Sequence, residues 1–150
     1  MENLTKNGGC HVMAGNKRLL IADISEVQSI DFTDFNSKTV TMRSGCGFAE
    51  IFAKSIRTEV TENGGAFTHE TTCRLTGTKQ KYDRLLADMV RGGWIAKIVD
   101  NTDTVWLSGS KEEPLHFSFR HIGAAEASGE HLYELTFHRD MTEPLCTTTL

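Results

Sequence analysis

Phe67-Thr68-His69-Glu70-Thr71-Thr72-Cys73-Arg74-Leu75 alternates from end to end. Phe67, Cys73 and Leu75 share one face with His69 and Thr71, while Thr68, Glu70, Thr72 and Arg74 share the other. A period of two, with apolar residues confined to one side, describes a strand with one covered and one wet face. Immediately upstream, Ser55 to Val60 continues the strand pattern, and Asn63-Gly64-Gly65 is a strong hairpin signal.

Further upstream the same grammar repeats. Leu19-Leu20-Ile21-Ala22 is a short apolar run, Val27 to Phe32 follows it, and Thr39-Val40-Thr41-Met42 alternates before a turn at Ser44-Gly45-Cys46-Gly47. Phe48 to Phe52 continues the series.

Downstream the period changes once. Tyr82, Leu85, Leu86, Met89 and Val90 fall at helical spacing, so a helix is predicted over about 79–91, with Thr78 as its cap and Gly92-Gly93 as its stop. Alternation then returns in Trp94 to Asp100, Val105-Trp106-Leu107, Leu115 to Arg120 and Leu132 to Phe137. The sum is a mainly β (α+β) chain, a β-sandwich or partly closed β-barrel with one flanking α-helix. Its predicted divisions are an N-terminal arm over 1–18, a single β-rich domain over 19–142 and a C-terminal tail over 143–150, both ends being of the kind that frays in an isolated domain.

Composition bounds the function. The chain has 150 residues and a formal net charge of -4, which suits one domain and lacks the basic surplus of a general nucleic-acid binder. No apolar run approaches the roughly 20 residues of a membrane-spanning helix, and Met1 to Gly9 has no signal-like apolar stretch. Cys10, Cys46, Cys73 and Cys146 are widely spaced, which reads as reduced thiols in a cytoplasmic setting.

Chemistry-bearing motifs are few. Cys10-His11, the His116 and His121 pair and the His131 and His138 pair lack the short paired spacing of a zinc site. Gly45-Cys46-Gly47 is the one turn that would expose a nucleophile, with His69 as its conceivable base; a plain glycine turn explains the same residues. Glu112-Glu113 sits in a charged loop, and Gly8-Gly9, Gly64-Gly65 and Gly92-Gly93 lack the lysine and spacing of a phosphate loop. The expectation is a protein that is not an enzyme, with no catalytic residue, no cofactor and no metal.

The order of elements resembles a known class. LLIADISEVQSI from Leu19 to Ile30, a Thr-Val-Thr-Met strand, the Phe67 to Leu75 strand, KQKYDRLLADMVRGG, WIAKIVD, VWLSG and the closing LYELTFHRDMTEPL follow one another. Over about 19–145 this is similar to tail tube proteins of bacteriophages and prophages of Bacteroidetes-type bacteria. The resemblance implies a virion structural protein assembled in the host cytoplasm, forming stacked hexameric rings that conduct the genome and touch neighbouring tail proteins. It further implies an acidic lumen that DNA passes without specific binding, and no membrane. Glu59, Glu62 and Glu70 are the candidate lumen-facing residues. A terminator or hub ring is the near alternative. A small ligand- or protein-binding barrel, with an apolar cavity near Trp94, Trp106 and Phe117, is the distant one.

Overall fold

Alternating strands dominate the computed structural model, which describes residues 11–13, 16–53, 55–76, 80–122 and 132–150. In chain order the strands are β1 (His11–Met13), β2 (Arg18–Asp23), β3 (Val27–Asp34), β4 (Ser37–Met42), β5 (Ala49–Ile51), β6 (Ser55–Asn63) and β7 (Ala66–Thr76). The helix α1 (Gln80–Met89) follows, then β8 (Trp94–Val99), β9 (Val105–Ser108), β10 (His116–Ile122), β11 (Leu132–Met141) and β12 (Cys146–Thr148). A single 3-10 turn, Ile24–Glu26, links β2 to β3.

The strands form two sheets. The first has five strands in the order β1-β6-β7-β11-β10, all antiparallel. The second has seven, in the order β3-β4-β12-β9-β8-β2-β5. The architecture is a sandwich with one helix, and its sheets do not close into a barrel.

The β6–β7 hairpin forms where its glycines require it. Asn63 pairs with Ala66 across Gly64 (φ 59) and Gly65 (φ 93), and two positive φ values define the tight turn that matches strand twist. β7 then buries His69, Thr71 and Cys73 and leaves Glu70 and Arg74 in water, as its alternation predicts.

Opposed faces of the two sheets make the main core. Leu19, Ile21, Ala96 and Ile98 from the seven-stranded sheet meet Ile56, Cys73, Phe117, Leu135 and Phe137 from the other. Each large side chain buried in this way contributes about 1.5–3 kcal/mol of transfer free energy. A second, smaller core lies on the far face of β2 and β8. There Ala22, Val27 and Ile95 are covered by Ile30, Val40, Met42 and Phe48. This is why β8 is buried almost throughout rather than on alternate residues.

The helix packs more narrowly than its sequence stripe. Of its described apolar side chains Leu86 and Met89 are buried, whereas Leu85 and Val90 are 56% and 48% exposed. The Tyr133 hydroxyl donates to Asp83 Oδ1 at 2.6 Å, fixing α1 to β11, and the Trp94 indole donates to the Met89 carbonyl at 2.9 Å, closing the helix end. The expected cap, Thr78, lies outside the described residues.

The terminal divisions need correction. Far from a loose tail, β12 is inserted inside the seven-stranded sheet, parallel to β4 and antiparallel to β9. Residues 11–13 of the predicted arm pair with β6, and β2 already starts at Arg18; residues 1–10 lie outside the described chain.

Candidate functional site

Three places concentrate chemistry. The first is the outer face of the five-stranded sheet, where the antiparallel register stacks polar residues in rows across strands. Arg74 of β7 and Arg120 of β10 flank Glu134 of β11, with N···O separations of 3.7 and 3.0 Å. In a parallel row Glu59 of β6 stands directly opposite Glu70 of β7, followed by His138 and His116, whose ring centroids are 6.1 Å apart. Arg57 approaches Glu59 at 3.4 Å. Thr68 donates to Asp140 at 2.7 Å at the end of the face. Between the rows lies a shallow polar depression of about 440 Å³ floored by Thr72 and walled by Arg57, Glu59, Glu70, Arg74 and Glu134.

Of the three acidic residues singled out in the sequence, this face brings together Glu59 and Glu70. Glu62 is separate. It lies at the hairpin end, on the other strand parity, and its Oε1 accepts the Gly65 amide at 2.9 Å. The turn geometry already occupies that carboxylate.

The second place is buried. His69 and Ser108, each 1% exposed, are joined Nδ1 to Oγ at 2.9 Å. The other ring nitrogen meets the Glu143 carbonyl at 2.8 Å. A carbonyl can only accept, so Nε2 carries the proton and Nδ1 accepts from the serine hydroxyl in the neutral ring. Burial lowers the pKa of His69; the Glu143 carbonyl, and the Glu143 and Glu113 charges, pull it back up only in part, and Lys38 lowers it further. The Glu143 side chain receives the ammonium of Lys38, itself 7% exposed. Thr58 and Thr71 share a hydrogen bond of 3.2 Å nearby on the same sheet face. A serine beside a histidine is here a sealed structural contact, because neither reaches solvent.

The thiols follow the same logic. Burial pushes Cys73 up to about 12 and also raises Cys146, so neither is a thiolate at neutral pH. Cys46 is exposed on its turn, but His69 has both ring nitrogens engaged elsewhere. The structure therefore does not bring the conceivable nucleophile and base together. Among the described residues no group of three or more His, Cys, Asp or Glu side chains is arranged to hold a metal. No helix among them is long and apolar enough to cross a membrane.

The third place is an apolar groove of about 580 Å³ between α1 and the edge formed by β5 and β2. Ile21, Ile51, Leu75, Leu86, Met89 and Trp94 form its floor, with Leu85 and Phe52 at the rim. Phe52 is 81% exposed. Of the apolar cavity expected from the sequence it contains Trp94, whereas Phe117 is buried in the main core and Trp106 packs beside it. The one trace of this groove in the sequence is the helical apolar stripe, which includes Leu85 beside Leu86 and Met89.

Scanned against protein-family models, curated proteins and solved structures, the chain finds no match in any of the three.

Proposed function

We propose that this chain is a structural subunit that assembles with copies of itself into a hexameric ring of the phage tail tube class. In this reading the rings stack into a conduit for the genome in the virion tail. The subunit performs no turnover, uses no cofactor, contacts neighbouring tail proteins and lets DNA pass without specific binding. The supporting observation is the open sandwich. Among the described residues, β10 at one end of the five-stranded sheet and β3 and β5 at the two ends of the other have no strand on their outer sides. Unpaired strand edges are templates for another chain, and a ring of identical subunits pairs edges such as β10 and β3 between neighbours without leaving an end. The polar face carrying Glu59 and Glu70 is the surface that such a ring turns toward the channel.

Light scattering coupled to size-exclusion chromatography, with negative-stain microscopy of the same fractions, tests this. Rings or tubes of even width are the expected outcome. A 16.7 kDa particle that persists at high concentration overturns it. The second reading, a binding module, is favoured by one specific observation, the apolar groove beside Trp94.

A further inference from the structure

The groove between α1 and β5 is specific in its chemistry. Among the described residues its lining is apolar except for Gly47, Asp23, Glu26 and Glu50. Arg18 engages one oxygen of Glu50, at 2.7 Å, and Asp23 uses Oδ1 to hold Ser25. Asp23 and Glu26 beside the apolar floor, and Glu50 on the outward side of β5 with Arg18 on its Oε1, favour an occupant that is apolar and cationic at once.

The edge strand narrows the class further. Among the described residues β5 pairs with β2 alone, Leu19 with Ile51, Leu20 with Glu50 and Ile21 with Ala49. Leu19 and Ile21 belong to the main core, so Ala49 and Ile51 face inward and Glu50 faces the opposite way. A strand added to β5 would lie along the groove. It would place apolar side chains beside Ile51, Leu75 and Leu86, and the alternate side chains beside Glu50.

We infer that this groove binds an extended segment of a partner protein that alternates apolar and basic residues and adds to the sheet as an eighth strand beside β5. Main-chain hydrogen bonds to the free edge supply sequence-independent affinity, and the alternating side chains supply selectivity. This inference stands apart from ring assembly, since it requires only the folded subunit.

The test uses the full chain and two dye-labelled hexapeptides, one alternating isoleucine with lysine and one alternating isoleucine with glutamate, followed by fluorescence anisotropy. The lysine peptide binds, the glutamate peptide does not, and added salt weakens the complex. Glu26→Lys on the rim lowers affinity about fivefold, the scale of losing an exposed ion pair. Leu85→Asp lowers it about tenfold, as loss of partial leucine burial requires. Both positions are on the surface, and circular dichroism verifies that the variants remain folded. Equal binding of the two peptides, no binding of either, or indifference to both substitutions overturns the inference. So does a light-scattering result in which Leu85→Asp abolishes self-association, because a second copy would then be the occupant.

Discussion

His69 illustrates how a polar residue on a covered strand face is tolerated. It is neutral, wedged between the Ser108 hydroxyl, which donates to Nδ1, and the Glu143 carbonyl, which accepts from Nε2. Its folded pKa lies below the ordinary value of 6.5, chiefly through burial. Between those two values the unfolded chain binds a proton that the folded chain does not. Stability from this residue is therefore complete above about pH 6.5 and is lost as pH falls toward the lower, folded value, at up to about 1.4 kcal/mol per pH unit. Thermal unfolding at about pH 7.5 and about pH 5.5 reads this directly. His69→Gln keeps a donor and an acceptor, and should flatten the difference in Tm between the two conditions. An undiminished difference in the variant would assign the acid sensitivity to other groups.

At the scale of elements, β12 has the greatest consequence for its size. Its Thr147 amide donates to the Asn36 carbonyl at 2.8 Å, and the Ser37 and Thr147 hydroxyls meet at 2.6 Å. Beyond it, the Thr149 carbonyl accepts the buried Lys97 ammonium at 2.7 Å. Removing residues 146–150 leaves β4 and β9 with no strand between them and Lys97 without that acceptor. Losing a hydrogen bond to a charged group costs about 1.5–3 kcal/mol, to which the lost strand pairing adds, against the roughly 5–15 kcal/mol that holds a domain folded. The truncated chain should lose its cooperative thermal transition by circular dichroism, and a Tm equal to that of the parent would show the strand to be dispensable. The same strand marks the limit of what was legible in the sequence. The faces of β7, the two-glycine hairpin and the single helix were readable because their periods are local. β1 and β12 are three residues each, and what makes them strands is pairing with β6, β4 and β9, which no local pattern encodes. The helix stripe was legible but too wide, since its spacing predicts a face and cannot say how much of it a neighbour covers. Of the candidate site, Glu59 and Glu70 lie on strands whose alternation was readable, whereas Glu62, near the end of β6, faces the other way and accepts the Gly65 amide.

For the whole molecule, the arrangement of charge matters more than its sum. The net charge is only -4, and on the outer face of the five-stranded sheet three arginines are interleaved with the acids, two of them against Glu134. Opposed like charges on neighbouring strands, as at Glu59 and Glu70, cost on the order of 0.2–1 kcal/mol. A chain under selection for stability alone gains nothing from that pair. In the ring stack proposed above, the pair would repeat as bands of negative potential, with a reach of about 8–10 Å at physiological salt, that repel phosphate. Reversing both in a Glu59→Lys, Glu70→Lys variant changes the wall and leaves the strand edges untouched. It should therefore assemble to the same particle size as the parent. It should also retain a labelled DNA duplex at low ionic strength, with retention falling steeply as salt is added, because each neutralised phosphate releases counterions. Fluorescence anisotropy across a salt series measures this. Equal and negligible DNA retention by parent and variant particles would remove Glu59 and Glu70 from the channel wall, even where the particles themselves form.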